Sequence, residues 1–381
     1  MKIFLVTSTR ADFGLLKNLI LELNKSNYFD LKIIATGTHF SKEHGYSFSE
    51  IKKSNTKVFK KIFISNKTNS PKYLLDDIGI LSKNIFYLIK KNKPDLFILL
   101  GDRYEIFAVA ISAYISRIPI AHIHGGEVTQ GSLDDGYRHS ISKFSNIHFV
   151  SNKIYRKRLI QLGENPKSIF NVGSLGVENI SKTKFITEKD LERELKIKLK
   201  KKILLVCLHP EITKNQTIKL VQETLISLKY FKDNTIIFTL PGADLFNDII
   251  FTKIRKFIKN LPNSYLFKTL GSQRFLSLLK IADVMIGNSS SGILEVPVFK
   301  KPTINIGDRQ KGREISSNVL NVRVNRFEIK KKINFIFSKK FNLRKIDSTF
   351  KRKNTSKLII NILKRKDINN FKTKEFYNIN F

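Results

Sequence analysis

The chain has 381 residues, 41% of them hydrophobic, enough for two domains with separate cores and too apolar for a disordered chain. Its single cysteine, Cys207, excludes an internal disulfide and fits a cytoplasmic setting, and no stretch approaches the ~18 uninterrupted apolar residues of a membrane span. A net charge of +37 raises nucleic acid or an anionic membrane as partner. The lysines, however, are scattered through every segment and dense only beyond residue 330, so neither partner is expected.

Residues 2–6 predict a first strand rather than a signal peptide, because the apolar run is short and ends in polar loop residues. The loop Thr7-Ser8-Thr9-Arg10-Ala11-Asp12-Phe13-Gly14 follows, then an amphipathic helix over 15–24, so Arg10 and free backbone N–H groups stand where an anion can sit. A second strand, 31–36, opens into a polar loop with His39 and His44. A strand over 57–64 and a long helix over 73–91, stopped by Pro94, come next.

The central feature is Leu99-Leu100-Gly101-Asp102-Arg103-Tyr104-Glu105, at the end of the apolar run 95–100. After an Ala-rich helix, 106–115, the run 118–123 ends in Ile123-His124-Gly125-Gly126-Glu127. This reads as a βαβ unit whose loops leave neighbouring parallel strands at their carboxyl ends, where open α/β sheets bind ligands. Asp102 and Glu127 are therefore expected to face one crevice. The pair Asp134-Asp135 opens a helix reaching 144, and a helix N-terminus accounts for one acidic residue there but not for Arg138 and His139 one turn on. A third carboxylate near Asp102 and Glu127 is the sharper reading. A strand over 146–151, a helix over 153–162 and a strand over 170–173 end this half.

Residues 174–200 predict a linker. The α/β rhythm then restarts, with strands over 203–208, 234–240, 283–286, 302–306 and 319–324 and helices over 218–230, 245–259 and 275–280. The expected architecture is α/β: a doubly wound domain over 1–180, a second over 200–350 facing it across a cleft, and a C-terminal helix (356–365) with a basic tail over 351–381, for which packing back on the first domain is one option.

In the second half Gly287-Asn288-Ser289-Ser290-Ser291-Gly292 lies between a strand and a helix, a phosphate-binding arrangement, with Glu295 one turn along to accept from a ribose diol. It is not a Walker A loop, and no Gly-x-Gly-x-x-Gly follows the first strand, so NAD is not expected. Gly307-Asp308-Arg309-Gln310-Lys311-Gly312-Arg313 offers Arg309 and Arg313 for bidentate phosphate recognition. His209 stands just past a strand end, and Cys207 is a core thiol. His122 and His124 near Glu127 imitate a metal site, but no third His or Cys completes one, so no metal and no cofactor are expected.

Together these motifs resemble the hydrolysing UDP-N-acetylglucosamine 2-epimerases of bacterial sialic- and legionaminic-acid synthesis. The match runs in family order over about residues 1–325, from Ser8-Thr9-Arg10-Ala11-Asp12 through Gly307–Arg313. The resemblance implies a GT-B-like pair of Rossmann-like domains, a UDP-sugar substrate and a homo-oligomer. It implies that UDP leaves C1 as the C2 proton is removed, giving a 2-acetamidoglucal, and that water adds with reprotonation of C2 from the other face. Asp102 and Glu127 would then transfer protons, with Asp134 and Asp135 assisting. His209 would stabilise the leaving group, and Arg10, Arg138, Ser289, Ser290, Ser291, Glu295, Arg309 and Arg313 would hold UDP. One departure is Pro241-Gly242-Ala243-Asp244, where relatives often carry Asn in place of Gly242. UDP-N-acetylglucosamine is the first substrate reading and UDP-2,4-diacetamido-2,4,6-trideoxyglucose the close alternative. A GT-B glycosyltransferase with the same UDP cradle is a more distant one.

Overall fold

A computed structural model describes the chain except residues 42–45, 55, 68–69, 130–132, 241–245, 339–340, 342–353, 366–373 and 380–381. His44 and the Pro241–Asp244 turn lie outside the described residues.

The chain forms two compact units, Met1–Val128 with Leu133–Asn179 and Arg352–Phe381, and Thr129–Ser132 with Ile180–Lys351. The first half contributes β1 (Lys2–Thr7), α1 (Arg10–Asn24), β2 (Asp30–Ala35), α2 (Phe48–Lys53), β3 (Val58–Lys61), α3 (Pro71–Asn92), β4 (Leu96–Leu100) and α4 (Tyr104–Ile115). It continues with β5 (Ile120–Ile123), α5 (Leu133–Phe144), β6 (Ile147–Val150), α6 (Lys153–Gln161) and β7 (Ile169–Asn171). Next come α7 (Leu175–Lys182) and α8 (Glu188–Leu195). The second half holds β8 (Ile203–Cys207), α9 (Lys214–Leu228), β9 (Thr235–Thr239), α10 (Asn247–Ile258), β10 (Ser264–Phe267), α11 (Gly271–Ile281), β11 (Val284–Gly287) and α12 (Ser291–Leu294). After β12 (Thr303–Ile306), β13 (Val319–Val322) and α13 (Arg326–Phe337), the chain closes with α14 (Thr355–Arg365).

Among the described residues one sheet runs β3-β2-β1-β4-β5-β6-β7 and the other β10-β9-β8-β11-β12-β13, with every pairing parallel. Central strands such as β4 (LFILL) and β8 (ILLVC) are buried throughout, as a sheet covered by helices on both faces requires. The strand order reverses between β1 and β4 in the first sheet and between β8 and β11 in the second. At such a switch point the loops diverge and leave a crevice beyond the carboxyl ends.

Several elements differ from the sequence expectation. The first helix starts at Arg10, not near residue 15, because Thr9 and Asp12 close a capping box: Asp12 N donates to Thr9 Oγ1 at 3.1 Å and Thr9 N to Asp12 Oδ2 at 3.0 Å. The expected linker holds α7 and α8, whose Ile180 and Leu191 sit in the core of the second unit. The strand β10 and the helices α2 and α13 have no counterpart in the predicted elements. In β10 only Ser264 of the Ser264–Phe267 stretch is buried, so an edge strand leaves a weak apolar signature. The helix α14, by contrast, takes the option the sequence left open and belongs to the first unit, with Ile359, Ile360 and Leu363 in its core. Its first turn is anchored by Glu178, whose Oε2 accepts from Ser356 N at 2.9 Å and Ser356 Oγ at 2.5 Å.

Candidate active site

The first unit places Ser8, Gly101-Asp102-Arg103, His124–Glu127 and Ser151 at the carboxyl ends of β1, β4, β5 and β6. Leu100 of β4 pairs with Ile123 of β5, so the two focal loops leave neighbouring strands at one level. Asp102 and Asp135 come together on Arg138. Its Nη2 contacts Asp102 Oδ2, and its Nη1 donates to Asp135 Oδ1 at 3.2 Å. Arg138 is only 2% exposed, against about a quarter for each carboxylate (25% and 24%). A buried guanidinium thus holds two carboxylates that keep one side open to solvent. His139 Nε2 lies 3.6 Å from Asp135 Oδ2, and burial holds this imidazole below its usual pKa, with Asp135 opposing and Arg138 adding to the shift. Asp134 stands beside Asp135 in the first turn of α5.

Glu127 is held one strand over. Its Oε1 lies 3.2 Å from His124 Nδ1 and accepts from Ser151 Oγ at 3.3 Å, and it is 3% exposed. His124 has a left-handed backbone, φ 70°, uncommon without glycine, and Gly126 follows at φ 75°. A Cβ at Gly126 would lie 2.5 Å from the Tyr155 carbonyl oxygen, so only glycine lets this loop lie against α6.

His122, on β5 just before the second loop, ties the first loop to α5. Its Nε2 meets the Gly101 carbonyl at 2.7 Å and its Nδ1 the Ser142 hydroxyl at 3.1 Å. A carbonyl only accepts, so Nε2 carries the proton, and Nδ1 accepts from Ser142. Burial pushes this imidazole down to about 3, which keeps it neutral. Beside Asp102, Arg103 pairs with fully buried Glu105 at 3.0 Å. Burial pushes the Glu105 carboxyl up, and Arg103 opposes that shift. Sequence reasoning quoted Arg103 and Glu105 but gave them no role.

Arg10 opens α1 and pairs with Glu50 of α2, a partner that the loop reading did not foresee. His39 is buried in the 3-10 turn after β2, bonded to Thr7 Oγ1 at 3.0 Å and Ser47 Oγ at 2.8 Å, a structural environment.

In the second unit, His209 follows β8 and Asn288 follows β11, the two strands of its switch point. Asn288 is fully buried and organises the loops. Its Oδ1 accepts from His209 N at 2.7 Å, and its Nδ2 donates to His209 O and Glu211 Oε1, both at 2.9 Å. Its carbonyl accepts from Arg309 Nη1 at 3.3 Å and Gln310 Nε2 at 2.8 Å. Burial pushes the Glu211 carboxyl up, against the bond from Asn288 and the charge of Arg309. Gly287 precedes at φ 138°, and a Cβ there would fall 1.9 Å from the Cys207 carbonyl oxygen. Ser289, Ser290 and Ser291 thus sit on a loop pressed against β8, leading into the single turn of α12, and Glu295 ends that turn. Arg313 Nη2 donates to Thr129 Oγ1 at 3.0 Å, within the same unit. Asn288, Glu211 and Gln310 stand within or beside the sequence motifs but carry no role in the sequence reading. Their only signal was proximity to His209, the serine run and Arg309. Among the described residues no cluster of three or more His, Cys, Asp or Glu has metal-binding geometry, and no helix is long and apolar enough to cross a membrane.

Residues 21–364 match the profile of the family described as UDP-N-acetylglucosamine 2-epimerase. A GDP/UDP-N,N'-diacetylbacillosamine 2-epimerase (hydrolyzing) of Campylobacter jejuni is 44% identical over 85% of both chains. Polysialic acid biosynthesis protein P7 of Escherichia coli is 38% identical over 89% of this chain and 87% of its own. A UDP-N,N'-diacetylbacillosamine 2-epimerase (hydrolyzing) of Legionella pneumophila is 35% identical over 85% of both. The fold is shared with the UDP-GlcNAc 2-epimerase of Neisseria meningitidis bound to UDP-GlcNAc, at TM-score 0.83 and 20% identity over 96% of this chain and 100% of that one. The two doubly wound sheets are accordingly GT-B-like, and the chain belongs to the UDP-N-acetylglucosamine 2-epimerase family, on its hydrolysing branch.

Proposed function

We propose that this protein converts UDP-N-acetylglucosamine and water into UDP and N-acetylmannosamine. The observation that carries the reading is Arg138, buried at the carboxyl edge of the first sheet and holding Asp102 and Asp135 with their outer sides open. Elimination of UDP across C1–C2 needs a base for the C2 proton, and the reverse-face addition needs an acid to return one. Asp102 and Glu127 are assigned these transfers, with Asp134 and Asp135 assisting the entry of water at C1. Arg138 is assigned to holding the carboxylates rather than the nucleotide. His209, Ser289, Ser290, Ser291, Glu295, Arg309 and Arg313 in the second unit, with Arg10 in the first, are assigned to UDP and its departing diphosphate. The atoms balance: the C2 proton passes to the base and from it to solvent, the C2–H electrons form the C1–C2 double bond as the glycosidic C1–O bond breaks and UDP takes its bonding pair, and water then supplies the C1 hydroxyl while the acid returns a proton to C2.

A second substrate is suggested by two relatives, both named as hydrolysing N,N'-diacetylbacillosamine 2-epimerases. The chemistry at C1 and C2 is the same for both sugars. Proton NMR of products formed in D₂O from each UDP-sugar separates them. The expected result is free UDP and N-acetylmannosamine deuterated at C2 from UDP-N-acetylglucosamine. Faster turnover of the diacetamido sugar transfers the assignment to it. Intact nucleotide sugar in both incubations, or an unepimerised free sugar, refutes the reading.

A further inference from the structure

Beyond α14 the chain returns to the first unit as Lys374–Ile379, outside the segment 21–364 that the family profile matches. Lys374 is mostly buried, its Nζ aimed at the C-terminal end of α5. There it reaches the carbonyls of Ser142 at 3.1 Å, Lys143 at 2.5 Å and Ser145 at 2.7 Å, and Glu164 Oε2 at 2.6 Å. The last carbonyls of a helix have no partner within it, and an ammonium there both satisfies them and complements the helix dipole. Glu164 is shared. His148 Nε2 lies 2.9 Å from its Oε2, and Lys143 Nζ lies 3.0 Å from its Oε1. Two residues on, the Phe376 ring lies against Gly163 so closely that a Cβ there would be 2.4 Å from it. Lys143 Nζ stands 4.9 Å from the same ring's centre, and Tyr377 N donates to Gly163 O at 2.9 Å.

We propose that Lys374–Tyr377 is a positioning strap for the reaction centre: Lys374 closes the C-terminal end of α5 and so fixes the helix that presents Asp135 and Arg138. The path is short. Ser142, whose carbonyl Lys374 binds, stands one turn beyond Arg138 and holds His122 through its hydroxyl. His122 in turn holds the Gly101 carbonyl, next to Asp102. Loosening the end of α5 therefore acts on both carboxylates that Arg138 joins. Lys374 touches no reacting atom and is a positioning residue. The inference rests on the assignment of Asp102 and Asp135 above.

Lys374→Met and Lys374→Arg, with deletion of residues 374–381 alongside, test it on the full chain. Hydrogen–deuterium exchange of α5 is expected to rise at least tenfold in Lys374→Met and in the deletion. The His139 imidazole, held down by burial beside Asp135 and Arg138, is expected to titrate closer to its ordinary value by NMR. Turnover of the UDP-sugar is expected to fall about tenfold with KM within twofold, and Lys374→Arg is expected to recover part of it. Unchanged α5 exchange overturns the strap. Raised exchange with unaltered His139 titration and unaltered kcat leaves a purely structural segment and also overturns the proposal. If the unmodified protein turns over neither UDP-sugar, the functional assignment fails by itself, and exchange with the His139 titration still decides the strap.

Discussion

Replacing Arg138 with Met separates Asp102 and Asp135, two of the four carboxylates that the reaction is assigned to. Removing one partner of a buried ion pair costs about 3–5 kcal/mol, because the remaining charge is left uncompensated. Arg138 is 2% exposed, but Asp102 and Asp135 are 25% and 24% exposed, so water shields part of that cost. The expected loss is about 2–3 kcal/mol, which is a factor of about 30 or more in a local opening equilibrium. Lys at this position is a point charge without the fork that reaches Asp102 through one nitrogen and Asp135 through another, so Lys recovers at most one contact. Native-state hydrogen exchange at α4 and α5 reads the opening locally, which suits a chain of two units better than a single melting temperature. A cycle with Asp102→Asn isolates the pairwise part, expected at about 1.5–3 kcal/mol. Exchange within threefold of the parent in Arg138→Met, together with turnover within threefold, refutes the idea that this guanidinium organises the centre.

Asp102→Asn itself should lower kcat by about 100-fold or more, the scale of a lost general acid or base, while UDP binding measured by calorimetry stays within a few-fold. Asn288→Ala removes the acceptor for His209 N and a donor to Glu211, and the penalty for a buried unsatisfied amide is about 1–3 kcal/mol. It should weaken UDP binding without moving α5 exchange. Glu164 is held down to about 2: burial opposes its ionisation, but His148 and Lys374 outweigh burial. Its depressed folded value means that the stabilisation is complete above the unfolded value near 4.5 and is lost as pH falls toward 2. The parent should therefore lose on the order of 1–2 kcal/mol over that window relative to Glu164→Gln, read as converging opening free energies from hydrogen exchange at α5. A constant gap between the two from pH 5 to pH 3 contradicts the network.

The family, the alternating βα rhythm and the strand-end placement of Asp102, Glu127, His209 and Ser289–Ser291 were legible in the chain, because they depend on short-range pattern. Apolar runs end in loops, and an all-parallel sheet sends those loops to one edge. Asp102 after β4 and Ser289–Ser291 after β11 follow from that alone. The helix start at Arg10 is also written locally, in the capping residues Thr9 and Asp12. Three things lay beyond reading. Strand order decides that β1 with β4, and β8 with β11, make the switch points, and order depends on which crossovers pack, not on any one segment. Arg138 reads as one more cation suited to an anionic ligand until α5 is laid beside the Asp102 loop, 36 positions earlier. Lys374 lies within a lysine-rich tail with nothing in the sequence to mark it, and only packing against the end of α5 singles it out. The local sequence carries chemistry and periodicity; which charges are buried against which is a property of contacts between distant segments, and the tertiary structure alone supplies it.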